Sequence, residues 1–451
     1  MACICKEQVI FLSIFNVEGF YKAMQTPNIS FKANPTKYIS NLSNLEKPFA
    51  KIIELEETGA DFAKSRLIQD TATNWFPKAI FARSLSDFGE MSFQEFLESL
   101  IVYFGPKYLG EKAYRPLYTK NLSNELKDKI STPAVELVKK STPKEELNKL
   151  LPRKAAIAIS TLAIPVGEYA LSYLKNLFTL KVFKQADFNK IANLDKTKTE
   201  DKEKQEKVRK SAINHLKFSA GLLVGLLGIS ALLVKKGESS KTLQKISEAV
   251  LMPGNKLSPK NEKLAKGINE YLSIDFERGK GGKLASSKGQ LVACVLAGFA
   301  GYAGSAKDRG KQNLLEVLFR FPLVGFYVIT GSSLFAKGFQ SILKKMNKCQ
   351  DIVKADKTIM NLDEIAKKAS NSTEFKKLFK QKAIASSVPF FFSMIVMGGF
   401  VAGCSRLFTQ YRYNQDMKKL KSTNNQYSQM SMDDFKALIE SKKTNNIPKY
   451  N

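Results

Sequence analysis

The apolar positions of this chain gather into five long runs, and the charges gather into the stretches between them. Phe218 to Val234 reads FSAGLLVGLLGISALLV, with no charge. As a helix it would cover about 25 Å, slightly short of a hydrocarbon core of about 30 Å. Lys217, Lys235 and Lys236 stand at its ends, where their long stems can carry the charge to headgroups. Ala383 to Cys404 is also uncharged and would cover about 33 Å. A helix that is apolar all round is surrounded by lipid or by other protein. The length of these two favours lipid.

Three further runs have weaker signals. Gln290 to Ala306 is uncharged but rich in Gly and Ala. Phe321 to Ala336 is bounded by Arg320 and Lys337. Ala155 to Leu174 holds Glu168 near its centre. A carboxylate there costs about 2.5–3.5 kcal/mol on the insertion scale, against about −0.3 to −0.6 for each Leu or Ile. That helix therefore needs neighbours to be stable in lipid. Lys307-Asp308-Arg309-Gly310-Lys311 separates two runs so closely that they are expected to form an antiparallel hairpin. Pro322 and Pro389 are expected to kink their helices. Small residues four apart let helix backbones approach closely. Gly221 and Gly225, Gly399 and Gly403, and Ala297, Gly301 and Ser305 show that spacing, and predict a packed bundle rather than separate anchors.

The polar segments also read as helices. Ser43 and Glu46, and Ser92 and Glu95, have the spacing of capping boxes. After the second, Phe93, Phe96, Leu97, Leu100, Ile101 and Phe104 share one helical face, with Gly105-Pro106 as a stop. That run is too short and too charged to span, and Glu95 and Glu98 are expected on a solvated face. Thr142-Pro143 and Ser258-Pro259 read as helix starts. Residues 197–211 read as a charged helical spacer, residues 278–283 as a flexible basic turn, and Ser431 with Asp434 as the start of a short tail helix. No alternating strand pattern is present. The expected fold is all-α: a polytopic transmembrane bundle of about five spans over 151–410. An N-terminal helical domain over 1–150 precedes it, lying in water or on the membrane surface. A polar tail over 411–451 follows. The aromatic stretch 60–118, with Trp75, Phe76, Phe81, Phe88, Tyr103, Tyr108, Tyr114 and Tyr118, suits either a small helical core or an interfacial surface.

Composition adds a sign. The 71 basic and 42 acidic residues leave a formal charge of +29. Lysine outnumbers arginine about sixfold and is spread over every polar segment. Bidentate phosphate recognition favours arginine, so anionic headgroups are the expected partner and nucleic acid is disfavoured. A protein partner could dock through the tail or the N-terminal domain. Loops 235–289 and 337–382 fall on one side of a five-span topology, which places the N-terminus in the cytoplasm. Val9 to Phe15 is a short apolar stretch between Glu7 and Glu18, with no small-residue cleavage site, so no cleavable signal peptide is expected. The five cysteines, Cys3, Cys5, Cys294, Cys349 and Cys404, are odd in number and scattered, and form no disulfide framework.

Little catalytic chemistry is legible. The single histidine, His215, removes histidine metal clusters and reads as a headgroup-level residue. Gly237-Glu238-Ser239-Ser240-Lys241-Thr242 lacks the glycine that a phosphate loop carries before its lysine. The SxxK spacings at Ser141 and Ser341 have no companion motif. No catalytic residue, cofactor or metal is expected. The functional candidates are charges at membrane depth: Glu168, and Glu316 with Arg320, four apart and able to pair with each other. The expected function is a non-enzymatic membrane scaffold or envelope component. The alternative is a transporter or channel using Glu168, which would require Glu168 at a hydrated cavity.

Overall fold

The computed structural model describes residues 38–58, 75–195, 201–278, 283–355 and 358–428. Among the described residues the fold is all-α apart from one small hairpin, and five helices are long and apolar enough to cross a membrane. The first is a two-part helix, α3 (Lys144–Thr161) and α4 (Ala163–Phe183). The break falls at Leu162, three residues before Pro165, whose ring and missing N–H disturb the preceding turn. The second, α5 (Lys202–Lys236), joins the charged spacer and the uncharged run in one 35-residue helix. Asp201 caps it by accepting from the Glu203 N–H, and Lys235 and Lys236 complement the carbonyl end of its dipole. α5 runs antiparallel to α3–α4. The Ser230 hydroxyl donates to the Ala156 carbonyl at 3.0 Å near one end, and Tyr169 meets His215 at 2.5 Å near the other. Gly237 closes the pair, since a Cβ there would lie 2.3 Å from Pro152.

The expected hairpin is present as α8 (Lys288–Arg309) and α9 (Lys311–Phe326). Gly310 makes the turn at φ 129°, a conformation that side chains resist. Phe321 packs on Phe299 and Tyr302, which sets the two helices antiparallel. α9 continues through a π-helical segment, Tyr327–Gly331, into α10 (Ser332–Lys345). Against it lie, in order, α12 (Ser372–Ser393), a second π segment, Met394–Val401, and α13 (Ala402–Ser428). Phe319 stacks on Phe408 at 4.8 Å and Phe335 on Phe392 at 3.6 Å, so this pair is also antiparallel. Pro322 and Pro389 each stand five residues before a π segment. The lost N–H bond is absorbed by a register shift to i→i+5. On these helices large apolar side chains point outward: Val224 is 71 % exposed, Phe326 63 % and Phe400 67 %. Outward-facing apolar groups are stable where the solvent is hydrocarbon.

The N-terminal half departs from expectation. α2 (Leu85–Gly105) starts at Ser84, whose hydroxyl accepts from the Asp87 N–H, not at Ser92. Ser92 lies inside the helix and accepts from the Trp75 indole at 2.9 Å. Gly105-Pro106 does not end the run, because Pro106 opens a π segment that continues to Tyr114. α2 lies antiparallel along α4, with Phe93 stacked on Phe178 at 4.4 Å and Gly105 beneath Ile164. This packing joins α2 to the first of the apolar helices. The hydrophobic cores also cross the boundary expected near residue 150. Leu122, Ile130 and Leu137 pack with Leu150, Ile157 and Leu233. Leu42, Ala50 and Ile53, the last two on α1 (Lys47–Thr58), pack with Leu343, Ile352 and Phe379.

Smaller differences follow local chemistry. The Glu46 carboxylate accepts from the Ser43 N–H and hydroxyl just before α1, which begins at Lys47. Lys144 opens α3 directly after Pro143, as the sequence indicated. Beyond Ser258-Pro259 the helix starts later, at α7 (Glu262–Leu272), with Asn261 as its cap. Two short antiparallel strands, β1 (Phe276–Arg278) and β2 (Leu284–Ser286), pair on either side of the expected basic turn, whose residues 279–282 lie outside the described residues; the sequence did not announce these strands. α13 carries residues 411–428 as a continuation of the last span. Ser431, Asp434, Cys3, Cys5, Glu200 and the aromatic stretch before Trp75 lie outside the described residues.

The small-residue positions divide sharply. A Cβ on Gly301 would lie 2.6 Å from the Tyr169 carbonyl oxygen and 2.9 Å from its Cα, so α8 and α4 cross there backbone to backbone. Ser305, one turn on, is fully buried, while Ala297 is half-buried. Gly221, Gly225 and Gly399 have no such contact within 4 Å, and Gly403 meets only the Phe81 ring at 3.7 Å. Of the expected small-residue seams, this chain uses the one at Gly301. Gly301→Ala should therefore cost about 1–3 kcal/mol, and Gly225→Ala should be neutral or slightly stabilising. Thermal unfolding in detergent checks both, and equal midpoints for the two variants would remove the backbone crossing as a stability element.

Candidate functional site

At the Gly310 end of the bundle, charged side chains from α2, α4, α8, α9 and α13, with Lys78 and Arg83 from the segment before α2, turn inward. The end is built where α2, α5 and α9 begin, where α4 and α8 finish, and where α13 passes. Glu90 on α2 is the meeting point. Its carboxylate receives Arg309 Nη1 at 2.7 Å, Lys175 Nζ at 3.3 Å and the Thr179 hydroxyl at 2.8 Å. The Arg309 side chain is fully buried. Burial works to raise the Glu90 pKa, but Arg309 and Lys175 outweigh it and hold the group at about 2.

A second cluster adjoins the first. Arg83 forks onto Glu316 at 2.9 and 3.2 Å and also reaches Asp87 at 3.2 Å. Burial opposes the charge on Arg83, yet Asp87 and Glu316 together raise its pKa. The Thr409 hydroxyl donates to Glu316 at 2.7 Å, and Arg406 stands 3.7 Å from Asp87. The expected Glu316–Arg320 pair is not the contact that forms. A bidentate guanidinium from outside the helix gives Glu316 better geometry than a one-turn neighbour on it. Arg320 is instead half-buried, within electrostatic reach of Tyr302 and Arg406.

Glu168 is 3 % exposed. It lies within electrostatic reach of Cys294 and Tyr302, as does Glu98, whose carboxylate accepts from the Tyr302 hydroxyl at 3.1 Å. Its depth differs from that expected. The adjacent Tyr169 holds His215, and Tyr173 stacks on the same ring at 4.1 Å. Glu168 is thus level with His215 and Lys217, where the uncharged run of α5 starts, and not with the middle of that run. The groove between α2 and α4, about 320 Å³ and lined by Leu100, Phe104, Tyr108 and Ile164 among others, does not include it. Nor does the smaller cavity of about 40 Å³ beside Cys294. Among the described residues no three His, Cys, Asp or Glu side chains gather to hold a metal.

Sequence reasoning missed most of this network. Glu95 and Glu98 do not form a solvated face: Glu95 pairs with Lys78 at 2.5 Å inside the bundle, and Glu98 with Tyr302. The available signal was a spacing. Glu90, Gln94 and Glu98 on α2, Glu168, Ser172 and Asn176 on α4, and Gly301, Ser305 and Arg309 on α8 each repeat every four residues. Each forms a narrow polar or small stripe on an otherwise apolar helix.

The depressed Glu90 pKa sets a sign for acid stability. The contribution is full above the free value of 4.5 and is lost as pH falls toward 2. The wild type should lose roughly 3 kcal/mol over that window, and Glu90→Gln should lack this loss. At neutral pH the same variant, with Arg309 and Lys175 left uncompensated, should be less stable by about 3–5 kcal/mol. Unfolding in detergent across pH measures both, and identical acid profiles would deny Glu90 its role. Comparison with known protein families, with characterised proteins and with solved structures finds no match to this chain.

Proposed function

We propose that this chain is a non-enzymatic multi-pass membrane protein acting as a scaffold, a folded helical platform that presents lysine-rich surfaces at the two faces of a bilayer. The observation that carries the reading is the network of inward-turned ion pairs at the Gly310 end. Five basic groups (Lys78, Arg83, Lys175, Arg309 and Arg406) pair with four carboxylates (Asp87, Glu90, Glu95 and Glu316). A transport path keeps some charge available to a hydrated passage. Here the groups whose contacts are resolved spend their charge on one another, across helices, as structural joints do.

The polar surface agrees with the same reading. Loops 235–289 and 337–382 both lie at the end opposite Gly310, each with twelve Lys or Arg. By the positive-inside bias that end, with the N-terminal segment packed on it, faces the cytoplasm. Anionic headgroups are the proposed lipid partner, and a docked protein is the proposed cargo of the platform.

The transporter reading predicts that Glu168→Gln alters a pH-dependent solute or proton flux in reconstituted vesicles. The scaffold reading expects no flux above that of protein-free vesicles, for either protein. A flux in the wild type that Glu168→Gln abolishes would overturn the scaffold assignment.

A further inference from the structure

The segment between α5 and α8 holds two amphipathic helices, α6 (Lys241–Leu251) and α7, joined by a short helical turn, Pro253–Leu257. Both are tied to the points where apolar spans begin or end. α6 starts five residues after Lys236, the last residue of α5. α7 ends against the first turn of α8, where a Cβ on Gly289 would lie 1.8 Å from the Ser273 carbonyl oxygen. Lys288, the first residue of α8, pairs with Glu270 and sits over the Tyr271 ring at 5.4 Å.

The apolar side of these helices is wider than the protein surface they cover. Leu251 is buried against α3 and α5, and Ala265 is buried with its backbone against Gly254 of the turn. Leu264, Ile268, Tyr271 and Leu272 run along one side of α7 at helical spacing, and Leu264 and Leu272 are each 54 % exposed. Ile246 on α6 and Leu257 in the turn are exposed as well. Lys256, Lys260, Lys263 and Lys266 are exposed around them. The nearby carboxylates are engaged, Glu270 by Lys288, Glu262 by Lys139 and Glu248 by Lys256.

We propose that residues 241–272 form an interfacial platform. It seats Ile246, Leu257, Leu264 and Leu272 at the acyl boundary of the leaflet that α5 and α8 enter, and sets its lysines on anionic phospholipid headgroups. The proposal rests on the membrane reading above. Two features select lipid over a protein partner. The exposed stripe adjoins the outward apolar sides of α5 and α8, where Leu232 and Leu296 are exposed. The residues flanking it are lysines, whose stems cover apolar surface while the ammonium reaches a phosphate.

Trp75 is the chain's one tryptophan, so full-length protein with Trp75→Phe can carry a single reporter. In vesicles of phosphatidylcholine and phosphatidylserine, Leu264→Trp in that background should be blue-shifted and quenched by brominated acyl chains. Lys266→Trp, on the other side of α7, should be quenched by aqueous iodide instead. Val224→Trp, on the outward side of α5, tests the membrane reading separately. Quenching by bromolipid at 224 but not at 264 overturns the platform alone, and no quenching at either position overturns both. For the headgroup contact, the double variant Lys260→Gln, Lys263→Gln should retain at least about fivefold less phosphatidylserine than the wild type at low salt. Equal retention refutes anionic recognition.

Discussion

The joint between Glu90, Lys175 and Arg309 is the interaction on which the arrangement of helices depends. Taking a carboxylate or guanidinium out of water costs several kcal/mol per ion, and only a close opposite charge returns it. α2 carries Asp87, Glu90, Glu95 and Glu98, and by composition belongs in water. It packs into the bundle because α4 and α8 bring Lys175, Arg309 and Tyr302 to its Glu90–Glu98 stripe, and Lys78 meets Glu95. None of these helices could bury its own charges alone. The network therefore specifies which helices are neighbours and at what height, while hydrocarbon contacts, which are non-directional, cannot.

Lipid acts on the outside of the same bundle and imposes the opposite rule. Val224, Phe326, Ile395 and Phe400 point away from the protein. In water that pattern would be an aggregation surface; in a bilayer it matches the surrounding solvent. Burial here thus has an inverted sense, with much of the charge inside and the large aliphatics outside. The small-residue crossing at Gly301 fits that scheme, because close backbone contact replaces the hydrophobic drive that lipid removes.

Long uncharged runs such as Phe218 to Val234 were legible, because a helix without charge has few stable surroundings and its length can be compared with a bilayer. The Gly310 hairpin was legible because so few residues separate two apolar runs. The charge network was not, because pairing depends on which helix lies opposite. Glu316 finds Arg83, 233 residues away, in preference to Arg320 one turn along. The position of α2 was missed for the same reason, since its four carboxylates look solvated until Lys175 and Arg309 are placed beside them. Gly221 and Gly225 carry the same motif as Gly301, yet only Gly301 meets a neighbouring backbone. Spacing alone does not distinguish a helix seam from a face turned outward.

The two π-helical segments, Tyr327–Gly331 and Met394–Val401, stand opposite one another, with the Tyr327 and Ser393 hydroxyls 2.5 Å apart between them. A π turn packs extra residues into nearly the same axial rise, so everything downstream of it is rotated relative to a regular helix. Were one helix alone to carry such a dislocation, Phe335 would be turned out of line with Phe392, and the stacked rings beyond would lose their match. Because both helices of this antiparallel pair slip at one height, the phase error is shared and the apolar faces stay aligned on either side. The pair behaves as a single inherited fault line: a residue inserted or removed on one side has to be answered on the other.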